Sequence, residues 1–196
     1  KDSIKENQEI YASSAGNHAQ GVALSGSHLN IPTNIIMPTF TPEIKIDNVK
    51  NFGGNVILHG DSFDEAKIEC DRLVKENNGI LVHPFDDLDI IAGQGTIGKE
   101  LIEEIKDIDY IFCSVGGGGI AAGVSSYIKE TNPSIKVIGI ETFDSNSMYL
   151  SRIKGDLQLL ENTGLFSDGT AVKIVGQHTF DICNKYLDDI ILVDTD

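Results

Sequence analysis

Two strand-to-helix turns hold the residues whose types and spacing suit chemistry. In one, Tyr110-Ile111-Phe112-Cys113-Ser114-Val115 runs straight into Gly116-Gly117-Gly118-Gly119 and then a helix from Ile120. Glycine lets the backbone curl so that several N–H groups and a helix N-terminus converge on one anion, which makes a phosphate cradle. A purely structural reason for four consecutive glycines is weak, because each costs chain entropy and packs nothing. In the other turn, Ser13-Ser14-Ala15-Gly16-Asn17-His18 also joins a strand to a helix. Its amides suit a small carboxylate and the Asn17 side chain a ring hydroxyl; N-capping by Ser14 or Asn17 accounts for the same residues.

The glycine turn has two readings. Gly116-x-Gly118-x-x-Ala121 fits the relaxed dinucleotide fingerprint, with Glu141 at the end of the next strand as the acid that holds a ribose. A P-loop is excluded, because no Gly-Lys-Ser/Thr follows the glycines. Two cradles together suggest instead a phosphate-bearing cofactor with a carboxylate substrate beside it.

The elements that must position these turns follow from hydrophobic periodicity. Apolar runs at Ile10–Ala12, Asn34–Pro38, Val56–His59, Ile80–His83, Tyr110–Val115, Lys136–Glu141 and Ile190–Val193 read as strands. Helical spacing marks Asn17–Leu29, Glu43–Phe52, Asp64–Glu76, Ile90–Ile105 and Ile120–Lys129, with a short helix near Met148–Ile153. The alternation predicts an α/β protein with largely parallel strands. A seam at Pro84-Phe85-Asp86-Asp87 divides a small lobe, 9–87, from part of a larger one, 88–196. The irregular stretch from Ser145 to Val175, with its loop through Asp168-Gly169, is expected to border a site.

The chain has 196 residues, with 30 acids against 15 bases and a formal charge of −15. That balance excludes phosphate-backbone binding as its main business. Arg72 and Arg152 are the only arginines, so any bound phosphate relies on backbone N–H groups or lysine. Cys70, Cys113 and Cys183 form no CxxC pair and read as reduced thiols, with Cys113 buried in its apolar run. No apolar run approaches the roughly 20 residues of a membrane span. Cytoplasmic placement is expected, or an organelle in a eukaryote.

Four segments then become recognisable together: Ser14-Ala15-Gly16-Asn17-His18-Ala19-Gln20-Gly21, Gly93-Gln94-Gly95-Thr96, Gly116–Gly119 with Ile120-Ala121-Ala122-Gly123, and Asp168-Gly169-Thr170-Ala171-Val172-Lys173. In this order and at these spacings they resemble threonine dehydratases, pyridoxal-phosphate enzymes of the tryptophan-synthase-β-like fold (fold type II), from about Tyr11 onward. The resemblance implies a two-lobed α/β fold with mostly parallel sheets flanked by helices, incomplete at both ends. It implies that Gly116, Gly117, Gly118 and Gly119 bind the phosphate of pyridoxal 5′-phosphate, that Asn17 contacts the ring hydroxyl, and that Gly169 lies beside the ring. Ser14, Ala15, Gly16, Asn17 and His18 would hold the substrate carboxylate, and Glu141 becomes a sheet-end residue. The implied reaction converts L-threonine to 2-oxobutanoate and ammonia, for isoleucine biosynthesis, in a homo-oligomer (dimer or tetramer) that binds neither nucleic acid nor membrane.

Details narrow the resemblance. In racemases of the family the position of Ala15 holds a proton-donating serine; Ala15 moves no proton, which favours elimination. The family's divalent-cation site uses an acid matching Glu141 and an Asp where this chain has Ser147, so no metal is expected. Gly164–Lys173 and Tyr186–Ile190 look most like the biosynthetic dehydratase. The family's Schiff-base lysine lies upstream in a Ser-Phe-Lys-x-Arg-Gly-type motif, and neither Lys1 nor Lys5 has that context, so no catalytic residue is assigned in this chain. The serine that partners the pyridine nitrogen is likewise expected beyond Asp196. An L-serine dehydratase or serine racemase, and an inert ligand-binding fragment, stand as alternatives. His18 is expected to cap or pack its helix, and His59, His83 and His178 to be structural.

Overall fold

Strands as uniformly apolar as residues 10–12 or 35–37 need cover on both faces, because alternate side chains point to opposite sides of a sheet. The computed structural model, which describes residues 4, 8–164 and 166–194, builds such a sheet from the first part of the chain. Lys1, Lys5, Leu165 and Asp196 lie outside the described residues. Strands β1 (Ile10–Ser13), β2 (Thr33–Met37), β3 (Asn55–Leu58) and β4 (Ile80–Leu81) run parallel in the order β3-β2-β1-β4. Ile10 and Ala12 of β1 pack with Ala19, Val22 and Ala23 of α1 (Asn17–Leu29) and Val49 of α2 (Glu43–Asn51). Tyr11 and Ile36 point the other way, onto Ala66 and Cys70 of α3 (Phe63–Glu76). The period-two alternation of the strands thus becomes helices on both faces.

The remainder forms a second parallel sheet, β5-β6-β7, from Tyr110–Ser114, Lys136–Thr142 and Asp189–Val193. Its inner face, with Ile111, Cys113, Val137 and Ile190, packs on α5 (Gly119–Thr131) and on Phe180 and Cys183 of α7 (Gln177–Tyr186). Helix α4 (Leu88–Glu104) packs on α5 through glycines: a Cβ at Gly123 would overlap the Ile91 carbonyl, and one at Gly95 would sit 3.3 Å from the Gly123 carbonyl. Gly95 and Gly123 of the recognisable motifs therefore let two helices approach closely. Helix α6 (Ser147–Lys154) and a 3₁₀ turn (Asp168–Thr170) occupy the stretch expected to be irregular.

The chain separates into two units, Lys1–Pro84 and Phe85–Asp196, each with its own core. The division thus falls just before Phe85 rather than after Asp87. The reason is local to the second unit: Phe85 lies against Gly117 and Gly119, Asp86 accepts hydrogen bonds from the start of α7, and Asp87 caps α4. Helix α7 is absent from the sequence-based assignment. Its N-cap is Gly176, which offers no side chain, and its capping carboxylate comes from Asp86, 91–93 positions away in sequence.

Candidate functional site

The tetraglycine turn lies entirely in the second unit. Val115 extends the ladder by donating to Ile140 O at 2.8 Å, and α5 begins at Gly119. Gly118 is the N-cap at φ 92°, a left-handed conformation that an L side chain takes only with strain. No side chain caps this helix, and among the described residues no protein acceptor takes the N–H groups of Gly116, Gly117 or Gly118. The first three amides of α5, from Gly119, Ile120 and Ala121, are also without intrahelical acceptors. Gly117, Gly118 and Gly119 are buried, so their N–H groups are donors that a bound anion would satisfy.

The glycines also pack. A Cβ at Gly117 would overlap the Phe85 ring, and one at Gly119 would lie 3.1 Å from Phe85 Cβ. A Cβ at Gly118 would lie 2.8 Å from Met148 Cε and 2.9 Å from Thr179 Cβ. One at Gly116 would lie 3.0 Å from Thr170 Cα. The expectation that four glycines pack nothing is therefore corrected: their missing side chains let Phe85, Met148, Thr170 and Thr179 close around the turn. Gly169, exposed in the 3₁₀ turn beside Thr170, is brought next to Gly116 by that packing.

Thr179 is fully buried, and its hydroxyl donates to Gly117 O at 2.7 Å while accepting from Gly176 N at 3.1 Å. The Asp86 carboxylate accepts from Gln177 N, His178 N and Thr179 N at 3.1, 2.8 and 3.2 Å, which fixes the first turn of α7. His178 contributes its backbone there. Phe85, Asp86, Met148 and Thr179 carry no sequence signal as site residues, since only the fold brings them to the glycines.

In the first unit, Ser13-Ser14-Ala15-Gly16-Asn17-His18 joins β1 to α1 in an open turn. Gly16 is the N-cap at φ −118°, and a Cβ there would meet nothing within 4 Å. The alternative of N-capping by Ser14 or Asn17 is overturned: Asn17 is the first helical residue, Ser14 Oγ accepts from Gly16 N at 3.2 Å, and among the described residues no side chain caps the amides of Asn17, His18 and Ala19. Asn17 is exposed, Ser14 is buried and Ala15 half-buried. His18 lies against Val82 O, with Nε2 at 3.1 Å. A carbonyl only accepts, so Nε2 carries the proton, and burial holds the His18 pKa below the ordinary histidine value. Among the described residues, the buried Ser13 Oγ at the end of β1 has no hydrogen-bond partner.

Glu141 is 3% exposed and accepts from Met148 N at 3.0 Å and Tyr149 N at 2.8 Å, so both its oxygens serve the start of α6. Burial pushes its pKa up to about 7 against the pull of those two amides. A buried carboxyl committed to a helix start does not reach a ribose, which removes the dinucleotide reading. Ser147 Oγ donates to Gln158 O at 2.8 Å, and among the described residues no cluster of three His, Cys, Asp or Glu side chains suits a metal. All three cysteines are free and buried; burial pushes Cys70 and Cys113 up to about 11 and Cys183 up to about 12. Those thiols are not nucleophiles at neutral pH. Among the described residues no helix is long and apolar enough to cross a membrane.

Comparison with known proteins fits this geometry. Residues 1–196 match the family described as pyridoxal-phosphate dependent enzyme. The mitochondrial threonine dehydratase of Schizosaccharomyces pombe is 52% identical over all of this chain and 33% of its own length. The biosynthetic L-threonine dehydratase of Haemophilus influenzae is 50% identical over 95% of this chain and 36% of its own. The chain thus spans about a third of the length of these curated relatives. The processed form of threonine deaminase isoform 2 from Solanum lycopersicum superposes with a TM-score of 0.94 at 43% identity, covering 98% of this chain and 57% of that one. Maize serine racemase does so at 0.89 and 33% identity, covering 94% and 56%.

Proposed function

The chain belongs to the pyridoxal-phosphate dependent enzyme family, and from that premise we propose that it forms part of a threonine dehydratase that converts L-threonine to 2-oxobutanoate and ammonia, supplying isoleucine biosynthesis. The observation that carries this reading is the set of glycine amides at 116–119, buried at Gly117, Gly118 and Gly119 and without acceptors among the described residues, next to a helix start. Those donors suit a phosphate, and they do so in a strongly acidic chain without a guanidinium in the turn.

When bound, pyridoxal 5′-phosphate supplies an electron sink for a carbanion at the substrate α-carbon. The chain's own residues bind and orient. Gly116, Gly117, Gly118 and Gly119 hold the phosphate through their N–H groups. Asn17, exposed at the first position of α1, would donate its side-chain amide to the ring hydroxyl, and Gly169 would border the ring. The uncapped amides at the start of α1, with Ser14, Ala15, Gly16, Asn17 and His18, hold the substrate carboxylate. Burial holds the His18 pKa below the ordinary histidine value and its Nε2–H donates to Val82 O, so it positions the helix start and moves no proton to substrate. Ala15 has no exchangeable proton to deliver, which supports elimination over racemisation. The protein works as a homo-oligomer in this reading.

The test is a 2-oxo acid assay on the complete reading frame that encodes this chain, loaded with pyridoxal 5′-phosphate and given L-threonine or L-serine. Faster release of 2-oxobutanoate from threonine is expected. Faster turnover of serine, or D-serine formation, would overturn the threonine assignment.

A further inference from the structure

Two neighbouring residues at the start of the second unit brace the glycine turn by different routes. Phe85 lies directly against Gly117 and Gly119, while Asp86 reaches the same turn indirectly through α7. The Asp86 carboxylate fixes the amides of Gln177, His178 and Thr179, and the buried Thr179 hydroxyl donates to Gly117 O at 2.7 Å. That hydroxyl has a single proton. Gly176 N–H donates into it at 3.1 Å, and the Gly176 carbonyl, at 3.1 Å, is a longer alternative acceptor than Gly117 O.

The carbonyl of Gly117 and the N–H of Gly118 belong to one planar trans peptide, so they point in opposite directions. Holding the carbonyl toward Thr179 therefore turns the Gly118 N–H away from α7. The next peptide is fixed in the same manner. Gly118 O accepts from Ala122 N at 2.8 Å, so the Gly119 N–H points away from the body of α5. Two successive amides of the turn are aimed by two anchored carbonyls. The Gly118 carbonyl is anchored by the helix itself, as at any helix start. The Gly117 carbonyl depends on one side-chain hydroxyl.

We propose that Thr179 is a positioning residue for phosphate binding: its hydroxyl sets the direction of the Gly118 N–H, with Asp86 holding Thr179 in place through the first turn of α7. This rests on the reading of Gly116–Gly119 as the phosphate site. Peptide 117–118 is the weak point of the turn, since a glycine on either side leaves it free to rotate once the hydroxyl is removed.

The experiment measures dissociation constants of the intact chain for pyridoxal 5′-phosphate and for pyridoxal, which lacks the phosphate, by ligand fluorescence. Wild type, Thr179→Ser, Thr179→Val and Asp86→Asn are compared, with folding checked by circular dichroism. Thr179→Ser keeps the hydroxyl and is expected to bind pyridoxal 5′-phosphate within about twofold of wild type. Thr179→Val removes both the donor to Gly117 O and the acceptor of the Gly176 N–H, and it is expected to bind about tenfold more weakly, with pyridoxal binding unchanged. Asp86→Asn is expected to weaken phosphate-dependent binding about threefold, and it carries the test should Thr179→Val fail to fold. A merely structural threonine would lower the melting temperature without moving the ratio of the two constants. A folded Thr179→Val or Asp86→Asn chain with a wild-type ratio overturns the proposal. A wild-type chain that binds both ligands equally overturns the phosphate site itself, and this inference with it.

Discussion

Gly16 and Gly118 hold the same position in two strand-to-helix turns, each the N-cap of the helix that follows, and they are glycine for different reasons. Gly118 sits at φ 92°, and Met148 and Thr179 fill the space a Cβ would take. Gly16 is extended at φ −118° with nothing within 4 Å of a Cβ. Backbone strain and packing inside the second unit account for Gly118 without any ligand. Nothing among the described neighbours of Gly16 accounts for it. The conspicuous run of four glycines is thus the one with strong internal reasons, while the space beside Gly16 is open among the described residues.

Substitutions at and around the two turns test that contrast. The largest effect is expected for Gly118→Asp, which combines left-handed strain, overlap with Thr179 and a negative charge at the proposed phosphate site. It should cost about 3 to 5 kcal/mol in urea unfolding and abolish pyridoxal 5′-phosphate binding.

Glu141 comes next, because it holds the amide of Met148 whose methyl group backs Gly118. Its folded pKa is raised to about 7, so the proton bound on folding contributes stability that is complete below the unfolded value of about 4.3 and is lost as pH rises to about 7. Measured against Glu141→Gln, wild type should therefore lose up to about 3 kcal/mol between pH 4 and pH 8. A pH-independent difference would show that the two amide donors keep the carboxylate charged.

A smaller effect concerns the wall beneath the turn. Gly117→Ala should cost about 2 kcal/mol by pressing on the Phe85 ring, and in a Phe85→Ala background the same change should cost about 1 kcal/mol less. Additive costs would mean that the ring does not shape the turn. The smallest effects belong to the open turn. Gly16→Ala should change stability by less than about 1 kcal/mol, and Asn17→Ala by less than about 0.5 kcal/mol. Asn17→Ala should still weaken cofactor binding about fivefold, as expected for one lost hydrogen bond. A large stability loss at either position would erase the distinction between the two turns.

Much of this architecture was legible in the sequence. Helix α1 runs over Asn17–Leu29 as its periodicity predicts, and the strands shift by a residue or two at their ends. Both turns stand out because strand, glycine and helix are contiguous in the chain. What was not legible depends on distant residues. Helix α7 has no capping side chain of its own and borrows Asp86. Asn17 looks like a cap until the backbone places Gly16 at that position. Phe85 and Thr179 give no sign of touching the glycines, because their contacts join the start of the second unit and a late helix to a turn in its middle. Glu141, readable in the sequence as a ribose-holding acid or a sheet-end residue, is buried under the start of α6.

Phosphate binding by the amides of Gly117, Gly118 and Gly119 is what selective ¹⁵N-glycine labelling reads directly. Titration with pyridoxal 5′-phosphate should shift these three resonances saturably, while pyridoxal at the same concentrations leaves them in place. Equal shifts with both ligands, or shifts confined to glycines outside the turn, would contradict phosphate binding there.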